Sequence, residues 1–342
     1  LFFYYDIFGD IFPVLPKDRE KSYNSIIVVM KNIVTIGGGT GTFTVLTALK
    51  KYPVHLTAIV SMADDGGSTG RLRDQYGVLP PGDVRRALVA LSESSDTMRE
   101  LFNYRFNGGG LQGHSFGNLF LTALEKVTGN FASAVEEASH ILNVNGEVAP
   151  VTLDDVRLCA RLANGSIIRG ETNIDIPRVP HRSPIEEVWL EPEARMNPSL
   201  KRILKNADSI IMGPGDLYTS IIPNFLVPGV REEIKRSKAK KVFICNLMTK
   251  AGETDGFSAE DFLGVMEKYL GKNVLDFVIF NNKRPSERLL RKYRREGAEF
   301  VAPPLPKKGG RGPEYILGDF IDTDTFVRHG PLKKMGKLLV SL

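Results

Sequence analysis

Apolar residues in this chain alternate between two periods, and the alternation repeats. Ser25–Ile36 is a nearly continuous Ile/Val run, which predicts a buried strand, and it ends in Gly37-Gly38-Gly39-Thr40-Gly41. Phe43, Leu46, Leu49 and Tyr52 then recur at helical spacing until Pro53 stops them. His55–Met62 predicts a second buried strand, again ending in a glycine-rich loop, Asp64-Asp65-Gly66-Gly67-Ser68-Thr69-Gly70. Short apolar runs return late, at Asp208–Met212, Lys241–Cys245 and Leu275–Phe280. Strands that are apolar throughout, separated by helices, predict an α/β, Rossmann-like, doubly wound and mainly parallel sheet.

The middle of the chain reads differently. Helices are expected over 96–106, 117–126 and 132–142. Asn164-Gly165 between two apolar stretches predicts a β-hairpin, and the proline-rich stretch 177–198 reads as irregular. The expected organisation is therefore a core built from 26–95 and 206–325, interrupted by an insertion of helices and a hairpin over 96–205. A tail follows over 326–342.

Residues 1–25 form an N-terminal extension rich in aromatics. Asp6 and Asp10 interrupt its apolar run, which is too short to span a bilayer, so at most a weak membrane contact is expected of it.

Composition narrows the function without fixing it. The 342 residues are 42% apolar and 25% charged, with a formal net charge of +5. That mild excess suits an anionic small ligand, and no Lys/Arg run resembles a nucleic-acid arm. Cys159 and Cys245 form no CxxC pair and lie in apolar runs, so a reducing, cytoplasmic setting is expected.

The chemistry is concentrated in the loops after the strands. Four glycines in the five residues 37–41 exceed what a turn needs. Backbone there can approach a phosphate closely, and a helix N-terminus supplies free N–H groups. The motif is neither a Walker loop nor a complete GxGxxG. Gly38, Gly39, Thr40 and Gly41 are the candidates. Asp64, Asp65, Gly66, Ser68 and Thr69 form the neighbouring loop, where an acid can take a ribose hydroxyl or two acids can hold a divalent cation such as magnesium. In Pro80-Pro81-Gly82-Asp83-Val84-Arg85-Arg86, Asp83 is expected to cap a helix. Arg85 stands in its first turn, where the helix dipole disfavours a cation unless an anion lies nearby. His114 and Asn118 would share a face of a helix opening at Ser115. Gly215, Asp216, Tyr218, Thr219 and Ser220 make a second anion-receiving loop, and Asn246 and Asn281 end later strands with amides suited to a base or a sugar.

Taken together, IVTIGGGTGTFTVLTAL, SMADDGGSTGRLR, LPPGDVRRALVAL, GHSFGNLFLTAL, MGPGDLYTSIIPN, CNLMTKAGETDGF and VIFNN resemble the YvcK-like gluconeogenesis factors of the CofD-like superfamily, from about Lys31 to about Pro331. The wider superfamily includes 2-phospho-lactate transferases. The resemblance implies a UDP-sugar ligand, notably UDP-N-acetylglucosamine, and a regulatory role in central carbon use and cell shape. It places Gly38–Gly41 and Gly215–Ser220 at phosphates and Asn246 and Asn281 near sugar or base. Near the C-terminus Arg328-His329 is followed by Gly330, where the family pattern carries an acid. Two further readings stand beside it: a CofD-like phosphotransferase using a nucleoside diphosphate donor, and an NAD-dependent enzyme. A homodimer is compatible with the sequence, and no protein partner is indicated.

Overall fold

A strand apolar on both faces must be covered on both faces, and the fold follows from that requirement. The computed structural model describes residues 30–177, 182–304, 312–322 and 327–342. The membrane contact expected of the extension, and the start of the first strand over 25–29, lie outside the described residues.

The strands are β1 (Lys31–Gly37), β2 (Val54–Val60), β3 (Glu147–Pro150), β4 (Arg157–Leu162), β5 (Ile167–Arg169), β6 (Ile185–Glu191), β7 (Ser209–Met212), β8 (Lys240–Ile244), β9 (Phe277–Asn281) and β10 (Glu314–Gly318). Seven of them form one sheet in the order β10-β9-β8-β7-β1-β2-β3. Every pairing in it is parallel. The order runs outward in both directions from β1, so the topology reverses between β1 and β7. That is the doubly wound arrangement, and its switch point is where a crevice opens beyond the carboxyl ends of the strands.

Consecutive residues Ile33, Val34, Thr35 and Ile36 are all buried, as are all four residues of β7. Helices flanking the sheet supply the cover. Among them, α1 (Gly39–Leu49) buries Val45, Leu46, Ala48 and Leu49. Then come α2 (Gly67–Tyr76), α3 (Pro81–Leu91), α4 (Asp96–Asn103), α5 (Phe116–Thr128) and α6 (Phe131–Ile141). Side-chain caps set the starts of the last three: the hydroxyls of Ser95 and Ser115 and the amide of Asn130 accept from backbone N–H groups.

The stretch expected as a single insertion is divided by β3. Helices α2–α6 make the crossover from β2 to β3, and β3 pairs with β2 as the edge strand of the main sheet. Its four residues are too few to show a period. After β3, the hairpin β4–β5 forms as Asn164-Gly165 predicts. The stretch read as irregular supplies β6, which pairs with β4 to give a three-stranded antiparallel sheet. The short helix α7 (Glu171–Asp175) leaves this small sheet and returns to the core.

Candidate functional site

Register fixes where the loops meet. Gly37 pairs with Val60 and Ile36 with Met212, so the loops after β1, β2 and β7 leave the sheet side by side. Gly39 opens α1 with φ +65, a conformation in which a side chain is strained. A Cβ on Gly41 would lie 2.1 Å from the carbonyl oxygen of Pro214, so the first and third loops pack backbone against backbone. A crevice of about 480 Å3 opens over these loops. It is lined by Gly38, Gly39, Thr40 and Gly41, by Asp64, Gly66, Ser68 and Thr69, by Arg85 and Asn118, and by Gly215, Asp216, Thr219 and Ser220. The structure thus brings together most of the residues expected from sequence.

The crevice also holds charged residues for which the sequence suggested another role or none. Asp83 sits inside α3, whose N-cap is Pro80, so it does not cap that helix as expected. Its Oδ1 instead accepts the N–H of Gly39 at 2.9 Å, and Arg86 Nη1 lies 3.6 Å away. Burial, then the nearby Asp64 carboxylate, push the Asp83 pKa up to about 6. Burial likewise raises Asp64, whose Oδ1 accepts the N–H of Gly66 at 2.9 Å. Glu171 projects from α7 into the same space. Burial and the charges of Asp64, Asp175, Asp65 and Asp83 raise it to about 9. Arg105 completes the lining with a third guanidinium beside Arg85 and Arg86.

Several expected contacts are spent within the protein. The Asp65 carboxylate accepts the N–H groups of Glu171 at 3.0 Å and Thr172 at 2.8 Å. It caps α7, and neither the metal nor the ribose role fits it. His114 precedes α5 instead of sharing its face with Asn118; its buried Nδ1 meets Ser68 Oγ at 3.0 Å. Asn118 does line the crevice, taking Arg85 Nε on its Oδ1 at 2.9 Å. Arg85 spends a second nitrogen on Asn103 at 2.6 Å. Burial and the neighbouring Arg86 and Arg105 lower its pKa to about 10. It braces the wall of the site. Tyr218 is buried below the crevice, and burial raises its hydroxyl's pKa. Asn281 binds the Lys283 carbonyl at 2.7 Å and the Phe320 N–H at 3.0 Å, so it organises a loop away from both cavities.

A second cavity of about 510 Å3 adjoins the first and shares Thr40, Gly41, Asp175, Ile176, Gly215 and Asp216 with it. Its walls are more apolar, including Pro177, Leu247, Met248, Tyr293 and Val327, with Arg328 and His329 at one side. Asn246 lies here and donates to the Gly215 carbonyl at 2.8 Å, which holds the third loop in place.

Between the cavities stands Lys250, with its ammonium ion-paired to Asp175, 2.7 Å from Asp216 and 3.5 Å from Glu253. Burial alone would lower the Lys250 pKa, but Glu253, Asp216 and Asp175 outweigh it and the ammonium is held well above its usual range. Glu253 is buried, accepts the Tyr218 N–H and the Thr219 hydroxyl at 3.2 Å each, and is raised to about 8 by burial. Carboxylate oxygens of Asp175, Asp216 and Glu253 lie within 4.8 Å of one another, a spacing that suits a cation. Besides Asp216 in its glycine loop, the sequence signal for this cluster is the segment KAGETDGF, whose Lys and Glu stand three apart on a turn.

A parallel sheet with its topological switch at β1 and β7, and a charged, glycine-lined crevice at that switch, defines a doubly wound, Rossmann-like α/β protein with a candidate ligand site. The model of the 2-phospho-L-lactate transferase CofD family matches residues 33–320. The gluconeogenesis factor of Bacillus subtilis (strain 168) is 41% identical over 91% of this chain and 97% of its own length. That of Halalkalibacterium halodurans is 43% identical over 89% of this chain and 94% of its own. The crystal structure of a UPF0052-family protein from Bacillus halodurans superposes with a TM-score of 0.86 at 40% identity, covering 91% of this chain and 99% of that one. The chain belongs to the gluconeogenesis-factor family, within the CofD-like superfamily.

Among the described residues no helix is long and apolar enough to cross a membrane.

Proposed function

We propose that the paired cavities bind a nucleoside diphosphate sugar of the UDP-N-acetylglucosamine type, and that the protein is a cytoplasmic regulator of central carbon use and cell shape that binds this ligand without consuming it. The observation that carries the reading is the contact of the two glycine loops, 38–41 and 213–216, at the switch point, with a polar cavity on one side and a more apolar one on the other. N–H groups at the start of α1 and the neighbouring guanidiniums suit phosphates. Tyr293 and the apolar walls of the second cavity suit a base, and both volumes fall in the range of small-molecule sites. Ser68 Oγ lines the crevice and meets the buried His114 Nδ1 at 3.0 Å, but among the described residues no carboxylate hydrogen-bonds that imidazole to orient it as a base. The test is to incubate the protein with UDP-N-acetylglucosamine and magnesium, following thermal stability and nucleotide composition over hours. Saturable stabilisation with intact ligand is expected. Release of UDP or UMP in proportion to protein would overturn it.

One observation favours a second reading, a CofD-like phosphotransferase. Burial and then the Asp64 carboxylate raise the pKa of Asp83 inside the crevice, and a divalent cation would relieve that repulsion. These two residues would hold magnesium, which when bound neutralises charge on a diphosphate. Guanosine diphosphate binding in preference to uridine nucleotides would support this branch.

A further inference from the structure

We propose that Lys250 is a built-in counter-cation: its ammonium fills a three-carboxylate site, otherwise suited to a divalent metal, and locks the second phosphate loop and α7 into one ligand-binding wall. The inference deepens the reading of a phosphate-bearing ligand and rests on it for its binding arm only.

Three observations converge. First, the cage joins separate parts of the chain. Asp175 ends α7, Asp216 closes the glycine loop after β7, and Lys250 and Glu253 follow β8. Second, the cage supports the loop from beneath, because Glu253 also receives the Tyr218 N–H and the Thr219 hydroxyl. Third, α7 is fixed against the same turn: Arg182 donates to the carbonyl of Asn173 at 2.9 Å and to that of Gly252 at 2.7 Å. Among the described residues, Lys250 is the only lysine lining either cavity. It stands beside Asp175 and Asp216, which line both.

The charge balance explains why a cation is needed there. An anionic ligand spanning the two cavities would pass Asp175 and Asp216, and uncompensated carboxylates would repel it. Removing the ammonium would take away the one cation that ties the three groups together and make ionised Glu253, already pushed up to about 8 by burial, still less favourable beside Asp175 and Asp216. A lysine supplies the compensation permanently. A hard divalent ion could replace it, since carboxylate oxygens are its preferred ligands and the cage needs only a small contraction to reach coordination distances.

The experiment compares the wild type, Lys250→Met, and a triple variant, Lys250→Met with Asp216→Asn and Glu253→Gln, in EDTA and in manganese or magnesium. Thermal unfolding is measured on the full chain, and UDP-N-acetylglucosamine is titrated in parallel. Lys250→Met should melt lower in EDTA and regain its stability saturably with the metal, by more than any gain in the wild type. The triple variant, whose cage keeps only the Asp175 carboxylate, should recover stability in EDTA and lose the extra metal response. It also decides the matter if the single variant does not fold without metal. In EDTA, Lys250→Met should bind the nucleotide sugar about tenfold more weakly or worse, and metal should restore most of that loss. A metal response in Lys250→Met no larger than in the wild type, or one that survives in the triple variant, overturns the proposal. If the wild type binds no nucleotide sugar, the functional reading fails, while the melting data still decide the role of Lys250.

Discussion

Replacing Gly41 by Ala tests whether the first and third loops form one rigid site. Gly41 is the third residue of α1, and in an unobstructed helix the change to Ala stabilises by about 0.5–1 kcal/mol. Here the new Cβ would stand 2.1 Å from the Pro214 oxygen and 2.5 Å from its carbonyl carbon. Ordinary contact begins at 3.4 Å, so the loops must part by about 1.3 Å. Overpacking of that kind costs about 1–3 kcal/mol, and both neighbours are backbone, which yields less than a side chain. The expected net effect is destabilisation of about 1–2 kcal/mol. Binding of a nucleotide sugar should fall at least about tenfold, because displacement of about 1 Å spoils phosphate geometry. Equilibrium urea unfolding and calorimetric titration read the two effects. Gly264→Ala is the control: it lies in the helix Ala259–Leu270 with nothing within 4 Å of its Cβ, so it should stabilise by about 0.5–1 kcal/mol and leave binding unchanged. A Gly41→Ala protein as stable as the control, with unaltered affinity, would refute the close packing of the two loops.

Asp65→Asn should cost about 0.5–1 kcal/mol, since an amide replaces a charged cap that accepts two N–H groups of α7. Its affinity loss should be the same with magnesium or EDTA; a loss confined to magnesium would return Asp65 to a metal. His329 Nε2–H donates to the Cys245 carbonyl at 3.1 Å, and burial lowers the ring's pKa to about 4. A base depressed in the folded state contributes stability above its unfolded pKa of about 6.5 and loses it as pH falls toward 4. Allowing for the ring's partial exposure, wild type should lose about 2 kcal/mol across that window relative to His329→Gln, measured by urea unfolding at stepped pH. Parallel pH curves for the two proteins would contradict a buried neutral imidazole.

The fold was legible in the sequence where single segments carry their own physics. β1, β2, β7, β8 and β9 are apolar on both faces, and a run such as SIIM has few alternatives once Gly-Pro-Gly follows it. β3 and β6 were not legible. EVAP is too short to show a period, and IEEVWLE lies in a proline-rich stretch and becomes a strand only because β4 offers an edge. The site divides along the same line. Glycine loops announce themselves locally, because the backbone conformation they need is a property of a few adjacent residues. The charges facing those loops do not. Asp83 reaches Gly39 across 44 positions, and Lys250 reaches Asp175 across 75. Asp65 shows the converse: its place in a motif suggested a ligand, yet folding brought the α7 N-terminus to it first. A carboxylate next to a glycine loop therefore predicts an electrostatic partner but not its identity. That identity depends on which of the ligand, a cation or a helix end arrives with the best-aligned positive charge, and only tertiary structure decides the arrival.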